Sequence, residues 1–273
     1  MAWRIVMKLC SIASGSSGNC VYVGENDSHI LVDAGISGKR IEAGLAGIGV
    51  HPSALSGILI THEHTDHTQG VGVLARKYKI PLYGTVETLC AMLKGKTNIG
   101  KVEDNLLCSI VPDVPFQIGD ITVRPFSTSH DASNPVSYTF EANGHKAAMA
   151  TDLGMYDDYV VEHLQDAELL YLEANHDENM LLVGSYPYYL KQRILGKRGH
   201  LSNDTAARLV TTLLHPNLKS IALAHLSKEN NLPELAYETV RTELEQKAVE
   251  TGFPMPELFV AERDCPSKIM ITG

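Results

Sequence analysis

Read as a pattern of apolar and polar positions, the chain opens with strands punctuated by turns. Val21–Val23 and His29–Val32 are short β-branched runs on either side of Gly24-Glu25-Asn26-Asp27-Ser28, a cluster of turn formers. Ile41, Leu45 and Ile48 recur at helical spacing and predict an amphipathic helix over 41–48. Gly57–Ile60 is a continuous apolar run, as expected for a strand buried on both faces. A histidine-rich loop follows directly, and Val71, Leu74 and Tyr78 define a helix leaving it.

A second series begins near Cys108. Antiparallel strands are predicted over 116–118, 121–126, 136–140 and 146–150, with Gly119-Asp120 and Asn143-Gly144 as hairpin turns. Ala167–Glu173 and Ser220–Ala224 read as further strands, and Asp204–Leu214 and Glu234–Ala248 as helices. No linker, low-complexity segment or short repeat interrupts the chain, so residues 1–273 read as one domain. The order of elements predicts two facing sheets with helices outside, a four-layer α+β sandwich.

Composition narrows the class. With 44% hydrophobic and 20% charged residues the chain is neither disordered nor fibrous. Its formal net charge of -9 gives no overall attraction to nucleic acid or an anionic membrane. A polyanionic substrate would therefore need bound cations or a local basic strip. The five cysteines are odd in number, widely spaced and without a CxxC. Buried free thiols in a cytoplasmic setting are expected, rather than disulfides or a cysteine zinc site. Met1–Lys8 is too short and interrupted for a secretory signal core, and no apolar run reaches membrane-spanning length.

Twelve histidines change the picture more. His29, His51, His145, His163, His176 and His215 lie in polar or turn-like surroundings and read mostly as surface residues. The others stand in contexts that carry chemistry. His62-Glu63-His64-Thr65-Asp66-His67 offers four metal donors in one short loop after a buried strand. Alternating histidines suit an extended loop rather than the single helix face of HExxH, and Asp66-His67 can turn toward a second ion.

Followed in order by His130 in Ser127-Thr128-Ser129-His130-Asp131, Asp152 in Ala150-Thr151-Asp152-Leu153-Gly154 and His225 in Ala224-His225-Leu226-Ser227, the loop resembles the metallo-β-lactamase superfamily along the whole chain. The resemblance implies the αββα sandwich of that fold and two divalent ions. His62, His64 and His130 would hold one, Asp66, His67 and His225 the other, with Asp152 bridging. The mixed nitrogen and oxygen donors suit zinc, and manganese or iron are also compatible. Asp33, in Leu31-Val32-Asp33-Ala34-Gly35, resembles the strand-end aspartate that supports the histidine loop. Aspartate rather than cysteine at 152 argues against the true zinc β-lactamases, and His64 in place of glutamate argues against the flavodiiron type.

Two ions alone do not select a substrate, since they serve phosphodiester, thioester, lactone and β-lactam hydrolysis alike. His200 resembles the non-ligand histidine of the phosphodiesterase branch, which stabilises the phosphate transition state or protonates the leaving oxygen. With Asp66 it completes the expected catalytic set. Lys191, Arg193, Lys197 and Arg198 form a basic strip that would grip a phosphate backbone or simply a solvated helix end. The small-residue loop Ser14–Asn19 lets backbone N–H groups approach an anion, or makes a tight turn. Candidate substrate contacts are Ser16, Ser17, Asn19, Lys197, Arg198 and Ser202.

Taken with Gly199–Asn203 and Ala224–Asn230, the Ser14–Asn19 loop resembles the YycJ/WalJ-type bacterial branch. That resemblance implies a 5′-to-3′ exonuclease acting on DNA through a metal-bridging hydroxide. The stretch between Asp152 and His225 is too short for an inserted domain of the β-CASP kind. Glu173, Asn175, His176 and Asp177 form a polar cluster that either lines the site or caps a helix. Two other functions fit the chain: a glyoxalase II- or lactonase-like small-molecule hydrolase, and a regulatory protein without catalysis. The full ligand set counts against the second.

Overall fold

The computed structural model describes residues 6–95 and 99–273, so most of the N-terminal stretch weighed as a signal segment lies outside the described residues. Strands form where the apolar runs predict them. β1 (Lys8–Ala13), β2 (Cys20–Glu25) and β3 (Ser28–Val32) are antiparallel, and β4 (Gly57–Leu59), β5 (Leu82–Thr85) and β6 (Leu107–Ile110) continue parallel from β3. The second sheet repeats this plan. β7 (Phe116–Ile118), β8 (Ile121–Ser127), β9 (Val136–Ala142) and β10 (His145–Ala150) are antiparallel. β11 (Leu169–Glu173), β12 (Ser220–Ala224) and β13 (Glu257–Val260) then run parallel to β10. β14 (Met270–Ile271) returns to pair with β1, which gives two seven-stranded sheets among the described residues.

Both faces of the central strands are covered, which is why β4 and β12 read as nearly unbroken apolar runs. Ile30 and Val32 of β3 pack in the core between the sheets, while Leu31 points the other way. On that outer side lie α1 (Gly38–Gly47), α3 (Val71–Tyr78) and α4 (Val86–Lys94), with Ile41, Leu74 and Met92 packed against the sheet. The short α2 (Thr65–Thr68) belongs to the histidine loop. The second sheet is covered by α5 (Asp158–Leu164), α8 (Asn203–Leu213) and α9 (Pro233–Thr251) through Leu164, Leu209 and Val240. These layers make the expected αββα sandwich. The short helices α6 (Glu178–Val183) and α7 (Tyr188–Leu195) contribute nothing to its three apolar cores.

At the carboxyl ends of the central strands the chain turns sharply. Asp33 after β3, Asp152 after β10 and His225 after β12 have φ of 59°, 57° and 56°, the left-handed region. Each such residue costs about 1–3 kcal/mol and persists only where the surroundings dictate it, most often at functional sites. All three carry candidate functional side chains.

The cysteine expectation needs correction. Cys10 and Cys20 are buried free thiols, but Cys90 and Cys265 are exposed and Cys108 is half-buried. Cys90 lies on α4, whose buried face is Thr88, Leu89 and Met92. No helix among the described residues is long and apolar enough to cross a membrane.

Candidate metal centre

The histidine loop is held from below by Asp33. Its Oδ1 accepts from Thr61 N (2.9 Å), and its Oδ2 accepts from Thr61 Oγ1 (2.8 Å) and His67 Nδ1 (2.7 Å). The loop also lies tight against Gly35, where a Cβ would stand 1.6 Å from Asp66 O. Asn19 N and Ala34 N donate to Asp66 O and His67 O at 2.8 and 2.9 Å. A single aspartate and three backbone contacts thus set the path of the whole segment.

Four imidazoles are engaged in the same way. His62 Nδ1 meets Thr61 Oγ1 (3.0 Å), His67 Nδ1 meets Asp33, His130 Nδ1 donates to Gly199 O (3.1 Å), and His225 Nδ1 donates to Glu173 Oε1 (2.7 Å). With Nδ1 occupied, each ring is left with an Nε2 lone pair, which is how an outer hydrogen bond prepares a metal ligand. His64 instead brings its Nδ1 to 3.0 Å from His62 Nε2.

These atoms converge. His62, His64 and His130 bring one donor atom each within 4.8 Å of one another, and so do Asp66, His67 and His225. Asp152 stands between the groups, with Oδ2 3.4 Å from His67 Nε2 and Oδ1 3.6 Å from His130 Nε2. His130 Nε2, Asp152 Oδ2 and His225 Nε2 are buried with no hydrogen-bond partner among the described residues. Buried polar atoms are rarely left so. Orphaned lone pairs aimed at shared space fit a pair of divalent ions.

The electrostatics point the same way. Burial would lower His225, yet Asp152, Asp66 and Glu173 outweigh it and push the ring up to about 10. His67 is likewise lifted well above its ordinary value, against burial, by Asp152, Asp33 and Asp66. Burial would raise Asp66, but His67 and His225 overcome it and hold the carboxyl well below the usual range. At the other end, burial and the neighbouring His67, His130 and His64 press His62 well below its ordinary value. One end of the pocket therefore collects protons that a dication would displace, and at the other His62 and His130 are kept neutral and ready to ligate.

Glu173, which the sequence left undecided, is central. It ends β11 fully buried. Oε1 accepts from His225 Nδ1 (2.7 Å) and His200 Nδ1 (2.9 Å), and Oε2 accepts from Leu153 N and Leu201 N, both at 3.0 Å. Burial would raise its pKa, but His200 and His225 hold it well below the carboxylate range. The available signal was an acidic residue closing the otherwise apolar Leu169-Leu170-Tyr171-Leu172 strand. His200 lies beside the pocket, its ring 5.1 Å from that of His130 and 5.2 Å from that of His225. It belongs to neither histidine-bearing triad above, and it lies with Asp152, Glu173 and His225 in a further group whose donor atoms fall within 4.8 Å of one another.

The rest of the cluster divides. Asp177 caps α6, and Asn175 Nδ2 donates to His225 O at 2.8 Å. His176 is not a surface residue. It is buried where Asn203 N donates to its carbonyl, its ring nitrogens have no partner among the described residues, and burial lowers its pKa to about 4.

Among the candidate substrate contacts, Ser16 and Ser17 are exposed at the tip of the Ser14–Asn19 loop. Asn19 is buried, with Nδ2 3.1 Å from His67 Nε2 and Oδ1 accepting from Gly15 N (3.0 Å). Ser14 Oγ accepts from His225 N at 2.9 Å, so the loop lies across the Asp66–His67–His225 end of the pocket. Ser202 caps α8 and donates to Glu178 Oε1 (2.9 Å). The basic strip mostly binds its own chain. Lys191 Nζ donates to Leu182 O (2.7 Å), Arg193 pairs with Asp131 (2.5 Å), and Arg198 Nε donates to His130 O (3.0 Å). Lys197 is exposed and has no side-chain partner among the described residues.

Comparison with known proteins agrees with the fold. The sequence model of the Beta-lactamase superfamily domain matches residues 28–219. Over 249 residues the chain is 43% identical to an exodeoxyribonuclease YycJ of Bacillus anthracis, covering 91% of each. It is equally identical to an exodeoxyribonuclease WalJ of Streptococcus pneumoniae, covering 91% of this chain and 92% of that one. Among solved structures, the metallo-β-lactamase fold protein YhfI of Bacillus subtilis superposes with a TM-score of 0.69 at 19% identity, covering 98% of this chain and 100% of the other. The chain belongs to the β-lactamase superfamily with the metallo-β-lactamase fold, within its YycJ/WalJ-type branch.

Proposed function

We propose that the chain is a metal-dependent phosphodiesterase that degrades DNA from the 5′ end. The observation that carries this reading is His200, an imidazole at the pocket that stands outside the His62–His64–His130 and Asp66–His67–His225 triads and is pinned by the buried carboxylate of Glu173. The relatives named exodeoxyribonuclease, similar over nine-tenths of the chain, support it.

His62, His64 and His130 would hold one ion and Asp66, His67 and His225 the other, with Asp152 shared. Two divalent ions, zinc by donor type, supply Lewis acidity and lower the pKa of water at such a centre. His200 donates its Nδ1 proton to Glu173, so its Nε2 is the atom left to meet substrate. There it gives a proton to the departing oxygen, and the carboxylate of Glu173 stabilises the charged ring. The amide of Asn19 and the exposed Ser16, Ser17 and Lys197 would bind phosphate oxygens, while Arg198 and Ser202 brace the surrounding loops.

The test is digestion of duplex DNA and RNA labelled at the 5′ or the 3′ end, with zinc and manganese each added. The expected result is early release of the 5′ label from DNA as a mononucleotide. Absence of cleavage of either polymer would overturn the reading.

A further inference from the structure

Between Glu173 and His200 the chain leaves the sheet to build the α6–α7 hairpin. Its outer surface carries Leu182, Val183, Tyr188 and Tyr189, which are 56%, 86%, 77% and 74% exposed. Four large apolar or aromatic side chains left this exposed within eight residues mark the hairpin as a candidate contact surface. Yet the hairpin is built firmly. Gly199 closes it so tightly that a Cβ there would stand 2.0 Å from Ile194 O, and Asp177 caps its first helix.

The hairpin is continuous with the metal pocket. Arg193 of α7 pairs with Asp131, whose Oδ1 lies 3.4 Å from His130 Nε2. Tyr189 precedes Arg193 by four residues, so both share a helix face about 6 Å apart along the axis. The tyrosine surface therefore begins one turn beyond an ion pair that touches a candidate ligand.

The charge on this side selects the occupant. Arg193, Arg198 and Lys191 are engaged with Asp131 or with backbone carbonyls, Lys197 is the one member of the strip without a side-chain partner among the described residues, and the chain as a whole carries -9. A purely electrostatic hold on a phosphate backbone is thus weak, and affinity must come from another source. Flat exposed aromatic rings supply it, because every base has a face to stack on. We infer that the α6–α7 hairpin is a base-stacking wall, on which Tyr188 and Tyr189 hold unpaired bases of the strand entering the metal pocket. This inference rests on the nucleic-acid reading above.

The test compares the metal-loaded wild type with Tyr188→Ala/Tyr189→Ala and Tyr188→Phe/Tyr189→Phe. The probe is a single-stranded oligonucleotide carrying 2-aminopurine, and metal content and circular dichroism report folding. The alanine pair is expected to weaken binding by about 10- to 100-fold and to abolish the quenching of 2-aminopurine that stacking causes. It should leave the salt dependence of binding unchanged, since no phosphate contact is removed. The phenylalanine pair should retain wild-type quenching.

If the wild type degrades oligonucleotides and the alanine pair binds and quenches as the wild type does, the wall is overturned and the nuclease reading survives. If the wild type hydrolyses bis(p-nitrophenyl) phosphate but neither binds nor cuts any oligonucleotide, both fall. A change from dimer to monomer on tyrosine removal would assign the surface to a second copy of the chain and overturn the wall.

Discussion

The two sheets are built alike but furnish the pocket differently. Each passes from antiparallel strands to three parallel additions, and each ends a strand on a buried carboxylate, Asp33 after β3 and Glu173 on β11. Asp33 fixes one segment: Thr61 and His67 lie in the same loop. Glu173 ties together pieces far apart in sequence, namely Leu153, His200, Leu201 and His225. The first half thus delivers its donors as a preassembled loop, and the second gathers them one by one. Under the proposed function this difference becomes a division of labour, in which Asp33 would support metal binding alone and Glu173 would support metal binding and proton transfer together.

The largest expected effect follows from removing the second carboxylate. Glu173→Ala should lower DNA turnover by about 10³- to 10⁴-fold, and added metal should not restore it, because His200 loses its anchor. Asp33→Ala should instead weaken metal binding by about 10- to 100-fold, with most turnover recovered in excess zinc. Metal titrations of both variants with activity read at each point decide the matter. Rescue of Glu173→Ala but not of Asp33→Ala would reverse the assignment.

A smaller effect probes the loop itself. Gly35→Ala places a Cβ against Asp66 O and should cost about 1–3 kcal/mol of stability, measured by urea unfolding. Wild-type stability would show that the loop moves aside freely.

The smallest concerns pH. His176 is held near 4 when folded against about 6.5 when unfolded, so the unfolded chain takes up the proton first. Its contribution is intact above pH 6.5 and declines as the pH falls toward 4, by up to about 3 kcal/mol. His176→Phe should flatten the fall in melting temperature between pH 7 and 5. An unaltered slope would mean that the ring is solvated or paired.

The same contrast explains what the sequence reveals. His62–His67 is contiguous and follows an obvious buried strand, so both fold position and chemistry are readable. The strand expectations over 116–118 and 220–224 match β7 and β12 residue for residue, because alternation or continuous apolarity is unambiguous there. β1, with Cys10, Ser11 and Ala13, and the short β5 and β6 carry little β-branched signal and exist through long-range pairing. Glu173 was hidden for a related reason. A strand-end glutamate declares its role only when the fold brings His200 and His225 to one oxygen. The Lys191–Arg198 strip shows the converse, since sequence proximity to His200 does not tell that Arg193 and Arg198 are already bonded to the His130 loop.

The most direct test of the account is His200→Ala, with bound metal and DNA turnover measured on the same preparation. The expected outcome is two ions per chain, as in the wild type, with turnover reduced by about 10²- to 10⁴-fold. Undiminished turnover at full metal content would remove His200 from the chemistry and contradict the account.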